Sequence, residues 1–278
     1  MNKVLAALDN SLAGTAVVAT AQALAELFAA EIEAVHVPTN GDRSARGTAE
    51  AAGVPLRTLS GPVVEALVEA GEAPDVVALV VGARGTPAGR RPLGRTAAAV
   101  ATALRKPIVV VPPDAAVAGA FRRILVPLEG SLSASLSPAW IAEVAPGRTV
   151  DAVALHIHEE KSIPAFTDQP QHEHAAWSRE FLRRYLPSGL GAVRLETRVG
   201  HTAELVPRVA EEHDCDLIVL GWSQELSTGR APVVRGTLER SRLPVALVPV
   251  QPVTKLEDAI AIPPARTVER SSATSSRS

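Results

Sequence analysis

Residues 3–11 read KVLAALDNS, and residues 123–131 read RILVPLEGS, so the chain carries the same short segment twice at an offset of 120. The match continues downstream, where an offset of 139 carries Gly82 onto Gly221 and the end of each copy matches at an offset of 137. Three nearly equal offsets within 278 residues indicate one domain that has been duplicated. Comparing the two copies therefore shows where a site has been kept and where it has been lost.

The repeated segment predicts a parallel α/β fold. A nearly continuous apolar run ends at Asp9, and Ser11 is expected to cap the Ala-rich amphipathic helix that follows as far as Ala30. Continuous apolar strands that alternate with helices are typical of parallel sheets covered on both faces. The strands are expected at 4–8, 32–37, 54–59, 76–81 and 108–111 in the first copy, and at 124–128, 151–157, 193–199, 217–220 and 245–248 in the second.

The repeat also divides the chain. We expect a first domain at 1–113, a proline- and alanine-bearing linker at 114–122 and a second domain at 123–250. Residues 251–278 lose the hydrophobic periodicity and end in a Ser-rich stretch. They are therefore predicted to be a disordered tail.

The increase of the offset from 120 to 139 places an insertion between the second and third strands of the second copy. It contains residues 171–186, in which four apolar residues are spaced for one face of a helix: Trp177, Phe181, Leu182 and Tyr185. The corresponding residues 42–53 of the first copy are rich in Ala, Gly and Arg. We expect a full helix in the second copy and a stunted, mobile one in the first.

Charge and composition exclude several classes of protein. With 28 basic and 30 acidic residues the formal net charge is -2, so no overall field attracts nucleic acid or an anionic membrane, and neither partner is expected. No apolar run approaches the roughly 18 residues that span a bilayer, and we expect a cytoplasmic protein. The single cysteine, Cys215, excludes an internal disulfide framework and fits a small core residue.

A candidate site follows from the predicted strand ends, since open parallel sheets bind ligands at the carboxyl ends of their strands. Asp9 follows the first strand, and residues 82–96, GARGTPAGRRPLGRT, follow the fourth and lead directly into a helix. The glycines are expected to take positive φ and let a ligand approach, and the helix start offers free N–H groups to an anion. The alternatives are a solvated surface for the loop arginines and a turn-capping role for the Asp9 carboxylate.

Both copies resemble the universal stress protein family in its tandem-domain form. Residues 4–11 and 124–131 are similar to the strand and turn with which family members begin, and Val35-His36-Val37 is similar to the end of their second strand. The resemblance covers about residues 1–250. It implies an α/β fold of two tandem Rossmann-like (adenine nucleotide alpha hydrolase-like) domains, each a five-stranded parallel sheet of order 3-2-1-4-5 with flanking helices. It also implies that the domains pair through their last strands.

The resemblance further implies a nucleotide site in the first copy. Nucleotide-binding members carry Gly-x2-Gly-x9-Gly-(Ser/Thr) around the phosphates, an aspartate after strand one, and the end of strand two near the adenine. The chain departs from this pattern in having eight residues between the second and third glycines, and a hydroxyl one position late. The implied ligand is ATP with Mg²⁺ or a related adenine nucleotide. The residues implied to bind it are Asp9, Val37, Gly82, Gly85, Gly94, Arg95 and Thr96.

The second copy departs further from the family pattern. Glu129 replaces the aspartate, Gln224 replaces the second glycine, and Ala231 stands where the third glycine would be. Gly236-Thr237 looks like the missing pair, but Gly236 lies only eight positions before Pro244, which places it inside the last helix. We therefore expect a degenerate site that does not hold phosphates in the family manner.

Three functions remain open at this stage. The first is a non-enzymatic stress-response protein with an adenine nucleotide in the first copy, two paired domains and further dimerisation as an option. The second is a slow nucleotide hydrolase or nucleotidyl-transferring enzyme, for which Asp9 is the one obvious strand-end acid in the first copy. The third is an interaction module whose pockets bind nothing.

His156 and His158 share one side of a strand, as metal ligands would, but their spacing indicates no third ligand.

Overall fold

The computed structural model describes residues 1–11, 13–38, 44–83, 93–115, 119–129, 132–144, 149–158, 170–186, 190–227 and 231–250. The first copy contains β1 (Lys3–Ala7), α1 (Gly14–Phe28), β2 (Glu31–His36), α2 (Ser44–Ala51), β3 (Leu56–Thr58), α3 (Val63–Gly71), β4 (Val76–Gly82), α4 (Arg95–Ala103) and β5 (Ile108–Val111). The second copy contains β6 (Arg123–Pro127), α5 (Leu132–Val144), β7 (Asp151–His158), α6 (Pro170–Tyr185), β8 (Val193–Val199), α7 (Thr202–Glu212), β9 (Leu217–Trp222), α8 (Pro232–Arg240) and β10 (Val245–Pro249). Gly85 and the predicted tail, 251–278, lie outside the described residues.

The strands form one ten-stranded sheet in the order β3-β2-β1-β4-β5-β10-β9-β6-β7-β8. Each half therefore has the predicted order 3-2-1-4-5, and its neighbouring strands are parallel. The two halves meet at β5 and β10, which pair antiparallel with Val109 opposite Ala246. The predicted α/β fold and the pairing through the last strands are confirmed.

Helices cover both faces of this sheet, which explains why its strands are continuous apolar runs. All four residues of β5 are fully buried, as are Val4, Leu5 and Ala6 of β1. One core layer packs α1, α2, α5 and α6 on the sheet, and the other packs α3, α4, α7 and α8 on the opposite face. Both layers run through both copies. In the first layer the ring of Phe28 from the first copy meets the ring of Trp140 from the second edge to face, with centroids 5.1 Å apart.

The predicted start of α1 is wrong. The helix begins at Gly14, its N-cap is Ala13, and no side chain caps it. The backbone N–H of Ser11 donates instead to Asp9 Oδ1 at 2.9 Å. This Asx turn holds residues 9–11 outside the helix, so Ser11 lies in the turn rather than at the cap position.

The predicted difference in length between the two crossover helices is confirmed. In the first copy α2 has 8 residues and contributes only Ala45 and Ala49 to the core. In the second copy α6 has 16 residues, and its Phe181 is buried against the sheet. None of the helices within the described segments is long and apolar enough to cross a membrane.

Candidate functional site

A cavity of about 420 Å³ opens at the carboxyl ends of β1, β2 and β4. This is the point where the sheet order reverses, because β1 has β2 on one side and β4 on the other. All the predicted site residues that lie within the described segments line this cavity: Asp9, Val37, Gly82, Gly94, Arg95 and Thr96. The carboxyl ends of the parallel strands thus bring together residues that are up to 87 positions apart in the sequence.

Asp9 has a structural role at the rim of the cavity. Its Oδ1 accepts the Ser11 N–H in the Asx turn, and Leu8 before it donates its N–H to the Val35 carbonyl at 2.9 Å. The turn-capping role considered for Asp9 is therefore present in the structure. The same hydrogen bond also fixes the carboxylate where it borders the cavity, so the two roles are compatible.

His36 lines the cavity, although it is not among the predicted site residues. Its side chain is buried, and its Nδ1 lies 2.7 Å from the Leu8 carbonyl oxygen. Since a carbonyl can only accept, Nδ1 carries the proton and donates it, which ties the end of β2 to the end of β1. His156 makes the same bond to Leu128 at 2.8 Å in the second copy. The repeat of this histidine at an offset of 120 was the sequence signal for this shared scaffold contact.

Apolar side chains form a further wall of the cavity. Val63 and Leu67 of α3 and Val100 of α4 contribute to it together with Val37 at the end of β2. The sequence pattern does not indicate that the α3 residues line a cavity, because the packing of α3 beside α4 is a tertiary feature. The only advance signal was their place in the helix that precedes β4.

The N-terminus of α4 supplies hydrogen-bond donors. The N–H of Gly94 donates to the Ala83 carbonyl at 2.9 Å and closes the base of the loop, and the first intrahelical bond runs from the Ala98 N–H to the Gly94 carbonyl. The N–H groups of residues 95–97 therefore have no acceptor within the helix. All three residues line the cavity, and the positive end of the helix dipole adds to the charge of Arg95 there.

Positive φ was expected of the loop glycines, and at Gly94 this expectation is wrong. Gly94 is the N-cap of α4 with φ −59 and ψ 147, a conformation open to any residue. An N-cap lies in the extended region so that the chain can enter the helix, and this explains the difference. The contribution of glycine here is the absence of a side chain at the cavity wall.

The corresponding cavity of the second copy is much smaller, at about 160 Å³. At its helix start Pro232 and Val233 stand where the first copy has Arg95 and Thr96, so one N–H, one guanidinium and one hydroxyl are missing. Val250 also lines this cavity, and its side chain lies 3.2 Å from where a Cβ on Gly221 would be. The second copy therefore lacks both the space and the donors of the first.

The two histidines considered as metal ligands lie beside aromatic side chains. His156 and His158 do share one side of β7, with ring centroids 4.5 Å apart, but both pack at a tilt against the ring of Trp177 in α6. Among the residues that the structure describes, no group of three or more His, Cys, Asp or Glu side chains is placed to hold a metal ion.

Comparison with solved structures finds the same architecture over most of the chain. A universal stress protein from Archaeoglobus fulgidus DSM 4304 aligns with a TM-score of 0.62 and 19% identity, covering 88% of this chain and 97% of its own. A crystal structure from Pseudomonas aeruginosa UCBPP-PA14, titled as a universal stress protein, aligns with a TM-score of 0.62 and 15% identity over 90% and 94% of the two chains. A functionally unknown protein from Pseudomonas aeruginosa PAO1 aligns with a TM-score of 0.61 and 15% identity over 90% and 93%. At such identities the likeness shows the fold alone.

Comparison at the level of sequence gives the family. A search of curated proteins finds no match. The model of the universal stress protein family matches residues 41–112 and 120–249, one segment in each copy. These two segments make up more than half of the chain, and the chain therefore belongs to the universal stress protein family.

Proposed function

We propose that this chain is a non-enzymatic, cytoplasmic stress-response protein that binds ATP, with Mg²⁺, in the cavity of its first copy. The second copy is its structural partner and has a degenerate site. The observation that carries the proposal is the convergence of the α4 N-terminus, Arg95 and Asp9 on one cavity of about 420 Å³. That volume falls within the range of small-molecule sites.

The lining residues suit the parts of the nucleotide. Phosphate oxygens would accept from the N–H groups of residues 95–97, from the Arg95 guanidinium and from the Thr96 hydroxyl. The ribose hydroxyls would donate to the Asp9 carboxylate, and the adenine would lie against the apolar wall formed by Val37, Val63 and Leu67. Mg²⁺ would be held chiefly by phosphate oxygens, with the Thr96 hydroxyl as a protein ligand.

Binding is favoured over turnover by the surroundings of Asp9. A hydrolase would need a carboxylate placed to activate water or hold the metal beside the phosphates. Asp9 is the one carboxylate among the described residues that line the cavity, so no second carboxylate is at hand there once Asp9 accepts from the ribose. Release of phosphate above background that disappears in Asp9→Asn would favour the enzyme alternative instead.

The proposal is tested by titrating ATP with Mg²⁺ while following the melting temperature. At a ligand concentration about 100 times Kd we expect Tm to rise by roughly 5 °C, because only the folded chain offers the cavity. The titration is repeated with EDTA to separate nucleotide binding from metal binding. An unchanged melting temperature at millimolar nucleotide would contradict the proposal.

Two substitutions in α4 identify the site. Thr96→Val and Arg95→Gln should each weaken ATP binding about tenfold by calorimetry, since each removes a hydrogen bond to a charged phosphate. The matched control is Arg208→Gln, which removes the same charge from α7, where Arg208 pairs with Glu212 in the second copy. Equal affinity of all three variants would place the nucleotide elsewhere.

A further inference from the structure

Gln224 follows β9 in the second copy, at the position that Gly85 occupies in the first. Its backbone is left-handed, with φ 59. Residues that carry a Cβ adopt this conformation rarely, and glycine, the residue expected here from the family pattern, adopts it freely. Glutamine at this position therefore carries a backbone cost that glycine would not, and in return it offers a side chain that can make contacts.

The side chain of Gln224 reaches across to the first copy and caps α4. Its Nε2 lies 2.5 Å from the Leu104 carbonyl oxygen, 3.4 Å from that of Thr102 and 3.5 Å from that of Ala101. Carbonyls only accept, so the amide nitrogen rather than the amide oxygen must face them. The last carbonyls of a helix have no donor within it, and Gln224 supplies one.

The capped end of α4 is also tightly packed. Leu104 is fully buried, and a Cβ on Gly71 at the end of α3 would lie 2.8 Å from its Cδ1. The helix has nine residues, which corresponds to a length of about 13 Å, and its other end forms the wall of the large cavity. A helix this short is stiff, so the position of its last turn determines the position of its first.

We propose that Gln224 is a positioning residue for the ligand site of the first copy. By holding the Leu104 end of α4 it sets the place and rotation of the N–H groups at residues 95–97, although it does not line the cavity itself. The proposal rests on the proposed function, since it concerns binding at the same site. It assigns a role to the loop of the second copy: that loop supports the phosphate-binding helix of the first.

The test uses three substitutions of Gln224 in the full chain. Gln224→Glu keeps the shape but presents only acceptors to the carbonyls, Gln224→Gly removes the side chain and relieves the left-handed backbone, and Gln224→Lys keeps a donor. Calorimetry with ATP and Mg²⁺ is run at a temperature where circular dichroism shows every variant folded. The control is Ser227→Ala in the same loop, whose hydroxyl donates to Glu225.

We expect Gln224→Glu and Gln224→Gly to weaken ATP binding about fivefold or more, and Gln224→Lys and Ser227→Ala to stay within about twofold. In the ligand-free chain the same two weakening variants should speed hydrogen exchange at the amides of residues 98–104. A merely structural clasp would lower Tm and speed this exchange but leave the ATP affinity unchanged, and that result would overturn the proposal. A wild-type chain that binds no nucleotide would overturn the proposed function itself, which is a different and separately recognisable failure.

Discussion

The two copies share a scaffold down to single hydrogen bonds, and yet their cavities differ more than twofold in volume. His36 and His156 make the same bond to the end of the first strand of their copy. The strand ends and this histidine are therefore properties of the fold. What differs lies at the start of the last helix, where Gly94-Arg95-Thr96 corresponds to Ala231-Pro232-Val233. The comparison teaches that the fold creates the location of a cavity, while a few residues at one helix start decide its size and the hydrogen-bond donors that line it.

The difference extends to how each copy uses glycine. Gly94 lines the cavity of the first copy, whereas Gly236 lies inside α8 and packs against α7. The pair Gly236-Thr237 resembles a phosphate-binding motif in sequence, but the glycine is there for contact between helices. Substitution separates these two uses.

The largest effect is expected from Gly236→Ala. The added Cβ would lie 2.4 Å from the Cβ of Ala203 and 3.3 Å from its Cα, so α7 and α8 would have to move apart. We expect a loss of about 3 kcal/mol in the free energy of unfolding, measured in urea. The matched control is Gly47→Ala in α2, where a Cβ meets nothing within 4 Å and a gain of up to about 1 kcal/mol is expected. Equal stability of the two variants would contradict the packing role of Gly236.

A smaller effect is expected from acidification, and it should arise in the second copy. Burial lowers the pKa of His213 below its usual value, and nearby arginines lower it further. The unfolded chain then binds a proton more readily than the folded one as the pH falls below about 7. Stability should be constant above that pH and decrease below it. The charged groups around His213 are Arg123, Arg194, Arg198, Glu196 and Glu212.

The measurement is the free energy of unfolding from pH 8 to pH 5.5. The carboxylates of Asp75 and Glu180 titrate well below this range, since a basic partner lowers the pKa of each. His213→Gln should flatten the dependence on pH. An unchanged slope in that variant would show that other groups are responsible.

The smallest effect is expected at Cys215, which should not react in the native protein. Burial raises the pKa of its thiol to about 12, so almost no thiolate is present at pH 8. Labelling with a disulfide reagent should therefore proceed only when the second copy opens, and Gly236→Ala should accelerate it. Rapid labelling of the wild type would contradict the tight packing of this copy.

Much of the fold could be predicted from the sequence, because apolar runs between helices identify strands buried on both faces. The strands at 108–111 and 193–199 were predicted with the bounds that the structure shows. Placing Asp9 and Gly94 at strand or helix ends was enough to bring them to one cavity. These features depend on local patterns and on a general rule for parallel sheets.

The remainder depends on contacts that local patterns do not contain. The start of α1 depends on the carboxylate of Asp9 taking the Ser11 N–H. The side chain of the left-handed Gln224 finds its hydrogen-bond partner at the end of α4, which lies 120 positions earlier in the sequence. The apolar wall at Val63 and Leu67 likewise requires the packing of two helices that the sequence separates.

The central pair of strands also has a consequence for the order of events during synthesis. β5 is complete when residue 111 has been made, but its partner β10 begins only at residue 245. The five strands of the first copy can therefore be assembled while the middle edge of the future sheet is still open to solvent. That edge is covered only when β10 emerges from the ribosome, so the joining of the two halves is a late step that follows the formation of the first.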